Sequence, residues 1–232
     1  MNHLAGKVMY ITGGTKGIGL GILKEALNHG MKVAVSARNI DTLDTTAFSK
    51  DNFLLLHSDV KKAEDEQAAA AKIKAQWGQL DVLIANAGVG HFVPIDQMTS
   101  AQWHDTIDTN LTGVFNSVQA AIPMLKESQG YIITVASLAG TNFFPQASAY
   151  NASKFGLVGF SQAIMLDLRP FKIKVTTIMP GSVATYFNNH IPDEKDAWKI
   201  QPEDIGKLVI DLLTMNPRTL PSKIEVRPSQ TS

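Results

Sequence analysis

Val8-Met9-Tyr10-Ile11-Thr12-Gly13-Gly14-Thr15-Lys16-Gly17-Ile18-Gly19 is the stretch that decides the fold of this 232-residue chain. Its first four residues form an apolar run, which is typical of a strand buried on both faces. A turn with glycines spaced G-x-x-x-G-x-G follows, and a helical pattern then runs from Ile18 to near Gly30. Because glycines let the backbone approach a pyrophosphate and a helix N-terminus attracts it, this order predicts a dinucleotide site.

The end of the second predicted strand indicates which dinucleotide binds. Val33-Ala34-Val35 runs into Ser36-Ala37-Arg38-Asn39. An acidic residue about 20 positions beyond the glycines would hold the ribose 2′-hydroxyl of NAD, and none stands there. Asp41 lies further on and is better suited to cap the next helix. Arg38 and Lys16 are instead cations that suit a 2′-phosphate, so the sequence favours NADP(H) over NAD(H).

Strands and helices alternate along the rest of the chain. Further strands are predicted at 53–56, 80–84, 131–135, 175–179 and 223–226, and helices at 63–77, 100–126, about 149–168 and about 202–215. This alternation predicts an α/β fold, a single-domain Rossmann-type doubly wound parallel sheet of about seven strands with helices on both faces. Its ligand is expected at the carboxyl ends of the strands. No internal boundary or repeat interrupts the pattern, so residues 1–232 are predicted to form one NADP-binding domain.

Composition and charge narrow the range of partners. The 21 basic and 21 acidic side chains balance, which gives no electrostatic reason to expect nucleic acid or an anionic membrane as a partner. No cysteine is present, so disulfides and thiolate chemistry are excluded. No metal site is predicted. The chain lacks a signal peptide's apolar segment and a run of about 18 apolar residues, so a soluble cytoplasmic protein is expected.

Tyr150 and Lys154 are the candidate proton-transfer pair. Four residues apart on the predicted helix, they share one face with Cβ atoms roughly 5–6 Å apart. An ammonium about 4 Å from the phenol is worth roughly 4 kcal/mol at an effective dielectric constant of 20, or about three pKa units. That would bring the phenol close to neutrality, where proton-transfer catalysts work best. The same spacing also arises by chance on helix surfaces, so this pair alone does not decide between catalysis and structure.

Other polar residues lie at positions that suit the same crevice. Asn86-Ala87-Gly88 follows the fourth predicted strand, and Ser137 ends the fifth. Asn110 sits in the middle of the predicted helix 100–126, where asparagine competes for backbone hydrogen bonds. A mid-helix asparagine is therefore either exposed to solvent or has a specific structural or functional role.

With these motifs in this order, the chain resembles the short-chain dehydrogenase/reductase family over roughly residues 5 to 227. It is similar to 3-oxoacyl-(acyl carrier protein) reductases and to small-ketone reductases. The resemblance implies a nicotinamide cofactor and a reaction that reduces a ketone or 3-oxo group to a secondary alcohol, with Tyr150 as the general acid. The charges of Lys16 and Arg38 favour NADP(H) as that cofactor. Lys154 would hold the nicotinamide ribose and lower the pKa of Tyr150, Ser137 would orient the substrate oxygen, and Asn110 would anchor a water that connects Lys154 to solvent.

The resemblance, together with the charges of Lys16 and Arg38, predicts that residues from many parts of the chain contact the cofactor. The predicted cofactor-binding residues are Gly13, Thr15, Lys16, Gly17, Ile18, Gly19, Arg38, Asn39, Asp59, Val60, Asn86, Ala87, Gly88, Tyr150, Lys154, Pro180, Gly181, Val183 and Thr185. One departure from the family pattern is Ala85, where many members carry a second asparagine. A second is the segment between Thr185 and Pro202, where the family places its substrate lid and which is short here.

The substrate end is less well defined by the sequence. Ser137, Phe143, Tyr186 and Phe187 are the predicted substrate contacts. The other candidate walls, each of which could equally be core, are His91, Phe92, Phe144 and Trp198. His190 is interpreted as a solvated lid residue rather than a catalytic base, and no charged cluster marks a carboxylate or phosphate on the substrate.

Two other functions and an assembly remain open from the sequence. The chain could be an NAD-dependent alcohol dehydrogenase of the same family, or a catalytically silent NADP-sensing interaction protein. The intact set of Ser137, Tyr150, Lys154 and Asn110 argues against a sensor, which needs no proton relay. The resemblance also suggests a homodimer or homotetramer, assembled through the helices and the last strand.

Overall fold

The computed structural model describes residues 4–231, apart from the side chain of Asn189. Seven strands form one sheet in the order β3-β2-β1-β4-β5-β6-β7, and every neighbouring pair is parallel. The strands are β1 Val8–Thr12, β2 Lys32–Ala37, β3 Phe53–His57, β4 Val82–Ala85, β5 Tyr131–Val135, β6 Lys174–Pro180 and β7 Lys223–Val226. This confirms the predicted doubly wound α/β sheet.

Helices cover both faces of the sheet. They are α1 Gly17–Asn28, α2 Ala63–Trp77, α3 Ser100–Ile107, α4 Gly113–Ser128, α5 Ser148–Leu168 and α6 Pro202–Thr214. Side chains alternate across a strand, so β1 serves two cores. Val8 and Tyr10 pack with residues of α2, α4 and α5, whereas Met9 and Ile11 pack with residues of α1 and α6.

The strand order fixes where a ligand can bind. The chain builds outward from β1 to β2 and β3, then returns to place β4 on the other side of β1. Loops after β1 and β4 therefore diverge to opposite faces, which opens a crevice at their carboxyl ends. Within residues 4–231, no helix has the length and apolarity that spanning a bilayer would require.

The predicted helix 100–126 contains one turn of a different helix type. α3 and α4 are separated by a π-helical turn, Asp108–Thr112, which contains Asn110. Single π-helical turns inside α-helices are rare and frequent at functional sites. The predicted helix is therefore confirmed, and the π-helical turn inside it was not predicted because periodicity does not reveal an extra residue in one turn. Asn110, which the sequence marked as unusual, lies in this turn.

Candidate functional site

A cleft of about 820 Å³ opens along the carboxyl ends of the strands. Its walls come from the loops after six strands, β1 to β6, and from the start of α5. The structure brings most of the predicted cofactor and catalytic residues to this one cleft. Of the predicted site residues, Gly19, Asn110 and Phe143 do not line it.

The glycine turn is shaped for an anion. Gly13 and Gly17 have φ angles of 64° and 56°, a left-handed conformation that glycine adopts without strain. α1 begins at Gly17, and the preceding Lys16 offers no side-chain acceptor to the first N–H groups of the helix. No acidic residue occupies the first turn either. The N–H groups and the positive end of the helix dipole are therefore left for a bound phosphate, which fits the pyrophosphate of a dinucleotide.

Gly19 packs behind the turn rather than lining the cleft. A Cβ atom at this position would lie 2.5 Å from the carbonyl oxygen of Gly13 and 2.8 Å from Nδ2 of Asn86. Both distances are too short for a carbon atom, so only glycine lets α1 lie this close to the turn. Gly19 thus positions residues that line the cleft, and its contact with the cofactor stays a prediction.

Thr12 and Asn86 join the glycine turn to the end of β4. Nδ2 of Asn86 donates to the carbonyl oxygens of Thr12 and Gly13, at 2.9 Å in each case. Oγ1 of Thr12 accepts hydrogen bonds from the backbone N–H groups of Asn86 and Ala87, both at 3.1 Å. Sequence analysis missed Thr12, although a hydroxyl at the strand end directly before the glycines was the available signal.

Cations converge at the β2 end of the cleft. Lys16 and Arg38 are exposed and line the cleft, and neither forms an ion pair in the part of the chain that the structure describes. Asp41 is also exposed, and its backbone N–H donates to Oδ1 of Asn39 at 3.1 Å. No helix follows it before β3, so the prediction that Asp41 caps the next helix was wrong.

Asn110 ties two walls of the site together. Its Oδ1 accepts from the backbone N–H of Val89 at 2.8 Å, and its Nδ2 donates to the carbonyl oxygen of Val89 at 2.9 Å and to Oγ of Ser153 at 3.0 Å. Ser153 in turn donates to the carbonyl oxygen of Tyr150 at 2.8 Å. The buried amide thus fixes the loop after β4 against α5, a linkage through Ser153 that the sequence did not reveal.

Lys154 is buried beneath the same loop. A Cβ atom at Gly88 would lie 3.3 Å from Oδ1 of Asn110 and 3.7 Å from Nζ of Lys154, so these two groups approach each other across this glycine. Nζ donates to the carbonyl oxygen of Val135 at 3.0 Å. Burial disfavours the charged ammonium and lowers the pKa of Lys154 to about 8.

Tyr150 has a raised pKa, in the direction opposite to the sequence prediction. Burial disfavours the phenolate and raises the pKa, and a hydrogen bond with Ser137 offsets part of this effect. Lys154 does not reverse the balance, because its Nζ is directed to Val135 and lies 5.7 Å from the centroid of the Tyr150 ring. The phenol is therefore held in its protonated form at neutral pH.

Not all of the predicted substrate contacts line the cleft. Tyr186 and Phe187 line the cleft with Ser137, whereas Phe143 is 81% exposed and stacks on Phe155 with ring centroids 5.3 Å apart. Of the other candidate walls, His91 lines the cleft, and Phe92, Phe144 and Trp198 do not.

This chain is similar in sequence and in structure to known proteins. The family model described as short chain dehydrogenase matches residues 7–196. Trans-4-hydroxycyclohexanecarboxylate dehydrogenase of Sinomonas cyclohexanicum is 32% identical, covering 91% of this chain and 87% of its own. An alcohol dehydrogenase from Thermococcus sibiricus, solved with 5-hydroxy-NADP, superposes with a TM-score of 0.90 at 26% identity over 97% and 98% of the two chains. A 3-ketoacyl-(acyl-carrier-protein) reductase from Brucella melitensis, solved with NADH, gives 0.87 at 25% identity over 97% and 98%.

Proposed function

This chain belongs to the short-chain dehydrogenase family, and from that premise we propose that it is an NADP(H)-dependent reductase of ketone or 3-oxo groups. One observation carries the proposal. Tyr150, hydrogen-bonded to Ser137 and followed one turn later by Lys154, faces the same cleft as the glycine turn that fits a pyrophosphate. The proposed proton donor and the proposed nucleotide site thus line one crevice.

In ketone reduction, the residues of the cleft would each have a separate role. Bound NADPH would supply the hydride. Tyr150, which like any phenol is protonated at neutral pH, would give its proton to the carbonyl oxygen as negative charge develops there. The hydroxyl of Ser137 would orient the same oxygen and stabilise its charge.

Lys154 and Asn110 would act behind the proton donor. With a pKa of about 8, the ammonium of Lys154 is charged in most molecules at neutral pH and adds positive charge near the developing alkoxide. Asn110 holds the loop that covers Lys154, through its paired hydrogen bonds to Val89. We further propose that Lys154 holds the nicotinamide ribose, and that Asn110 supports proton resupply to Lys154.

The cofactor preference rests on charge at the β2 end. Lys16 and Arg38 line this part of the cleft, and no carboxylate stands where NAD-specific sites place one. A 2′-phosphate would receive charge-assisted hydrogen bonds from both cations. The solved relatives hold an NADP derivative in one case and NADH in another, so the preference here depends on these two side chains.

Exchange of Arg38 for aspartate tests the cofactor preference. Arg38→Asp replaces an attraction for the 2′-phosphate with repulsion, and a hydrogen bond to a charged group is worth roughly 1.5–3 kcal/mol. We expect the ratio of kcat/KM for NADPH to that for NADH to fall about 10²-fold or more in steady-state assays. Arg218→Asp makes the same change on an exposed residue outside the cleft and should leave the ratio unchanged. An equal ratio in both variants would remove Arg38 from cofactor recognition and reopen the NAD-dependent alternative.

A substrate panel tests the reaction itself. Purified protein is mixed with NADPH or NADH and a series of cyclic, acyclic and 3-oxoacyl ketones, and loss of absorbance of the reduced cofactor is followed. Turnover of a ketone with formation of its secondary alcohol supports the proposal. Tight binding of NADPH without turnover of any ketone or alcohol would favour a sensing protein instead.

The apolar outer faces of the helices support self-assembly. Phe115 on α4 and Phe155 and Leu166 on α5 are between 37% and 57% exposed, which is unusual for large apolar side chains on two adjoining helices. We propose that they meet a second copy in a homodimer or homotetramer. A monomeric mass in light scattering at micromolar concentration would contradict this. The cytoplasmic location stays a prediction from the sequence.

A further inference from the structure

Three aromatic rings form a closed triangle at the substrate end of the cleft, which Tyr150 and Phe187 line, and Phe92 packs against both without lining it. The ring centroid of Tyr150 lies 5.3 Å from that of Phe92 and 5.6 Å from that of Phe187. The centroids of Phe92 and Phe187 are 6.2 Å apart, with the rings nearly perpendicular at 78°. These tilted and edge-to-face arrangements are the ones that aromatic rings prefer. We call Phe92, Phe187 and Tyr150 the aromatic collar.

The collar is assembled from three separate parts of the chain over one glycine. Phe92 lies in the loop after β4, Tyr150 at the start of α5, and Phe187 in the turn Phe187–Asn189 of the lid segment. A Cβ atom at Gly90 would lie 2.7 Å from Cζ of Phe187 and 2.8 Å from Cε2 of Phe92. The two phenylalanine rings therefore meet over the Cα of Gly90, and any side chain there would have to displace both.

The two basic residues of the lid segment that line the cleft are already paired. Lys199 and His190 both line the cleft, and both bond the carboxylate of Asp196, with Nζ of Lys199 2.6 Å from Oδ1. These partners, Lys199 first and His190 second, lower the pKa of Asp196 to about 2, so its negative charge persists at neutral pH. Neither Lys199 nor His190 is left for an anionic substrate, and Nζ of Lys154 is directed to Val135.

We propose that the aromatic collar selects a neutral cyclic ketone, whose carbonyl carbon is part of an apolar ring, and that Phe187, packed against Phe92, limits the size of the ring and its substituents. This inference rests on the proposed reductase function. An apolar ring lying against Phe187 leaves no buried polar group unpaired, and its carbonyl can reach Tyr150 and Ser137, which line the same cleft. A carboxylate at the same place would lose its hydration without gaining a new partner from Lys199 or His190.

The test compares four ketones with four forms of the protein. The ketones are cyclohexanone, butanone, 4-oxocyclohexanecarboxylate and 4-phenylcyclohexanone, and the proteins are wild type, Phe92→Ala, Phe187→Ala and Phe143→Ala. We expect wild type to favour cyclohexanone over butanone and over the carboxylate by about tenfold or more in kcat/KM, as apolar pockets do for such differences. Phe143→Ala is the matched control, because it removes an equal ring that lies outside the cleft.

The collar variants should differ from the control variant in their kinetics. Phe187→Ala should raise KM for cyclohexanone about tenfold or more and should also raise the rate on 4-phenylcyclohexanone relative to cyclohexanone. Phe92→Ala removes the ring that packs against Phe187 and should shift both values in the same direction by a smaller factor. Phe143→Ala should change neither. Thermal unfolding checks that each variant folds, and Phe187→Leu and Phe92→Leu replace any alanine variant that does not.

Each contrary result overturns a defined part of the inference. If wild type reduces ketones but the collar variants behave like Phe143→Ala, the collar does not select the substrate and the reductase proposal stands. A higher kcat/KM for 4-oxocyclohexanecarboxylate than for cyclohexanone would overturn selection of a neutral substrate. If wild type reduces no ketone with either cofactor, the proposed function and this inference both fail.

Discussion

Replacement of Tyr150 by phenylalanine should lower kcat for ketone reduction by about 10²–10⁴-fold, the range that a positioned general acid contributes. Phenylalanine keeps the ring that packs against Phe92 and Phe187 and removes only the hydroxyl. We therefore expect NADPH to bind the variant with an unchanged dissociation constant, measured by quenching of protein fluorescence. Loss of rate with retained cofactor binding would assign the effect to proton transfer.

Tyr131→Phe is the control for this experiment. Tyr131 is a buried tyrosine on β5 whose hydroxyl contacts Oγ1 of Thr176 at 2.6 Å, and it does not line the cleft. Its substitution removes the same atom at a distance from the proposed chemistry, so kcat should stay within about twofold of wild type, because only one buried hydrogen bond is lost. If Tyr150→Phe retained more than a tenth of the wild-type rate, Tyr150 could not be the proton donor.

Replacement of Lys154 by methionine should stabilise the protein while removing most of its activity. Burial lowers the pKa of Lys154 from an ordinary 10.5 to about 8. At 1.36 kcal/mol per pKa unit, keeping this group charged costs the folded state about 3 kcal/mol. The carbonyl of Val135 loses its donor in the variant, which offsets part of the gain. We expect the free energy of unfolding at pH 7 to rise by about 1–3 kcal/mol and Tm by roughly 2–4 °C for each kcal/mol.

The stability difference between Lys154→Met and wild type should depend on pH. The folded pKa of Lys154 is below its unfolded value, so between about pH 8 and 10.5 the unfolded chain binds more protons. The free energy of unfolding contributed by this group therefore rises with pH across that window and is lowest below pH 8. The advantage of Lys154→Met over wild type should shrink in the same window, as followed by urea unfolding at several pH values.

Lys24→Met controls for the loss of a lysine. Lys24 is half-exposed on α1 and lies 3.7 Å from Glu203, a surface pair that contributes little to stability. Its substitution should change the free energy of unfolding by less than about 1 kcal/mol, without a pH-dependent advantage between pH 8 and 10.5. A Lys154→Met variant no more stable than wild type at pH 7 would show that the buried ammonium is not costly.

The sequence by itself determined the sheet and the residues that meet at its edge. Continuous apolar strands and amphipathic helices have fixed periods, so their order along the chain predicted the parallel topology and its ligand edge. The glycine turn, Ser137, Tyr150 and Lys154 then had to fall on one crevice, because strand ends and helix starts share that edge. Local sequence patterns are enough to predict strands, helices and their shared edge, because these features depend on backbone geometry.

Only the tertiary structure decided the electrostatics and the substrate end. The charge of Lys154 predicted a lowered pKa for Tyr150, but burial raises it, and burial is a property of the packed chain. Phe143 and Phe187 are indistinguishable as aromatic residues in loops, yet only Phe187 reaches the cleft. The path of an irregular loop depends on contacts between residues far apart in sequence, such as Gly90 with Phe187, and no periodic pattern records them.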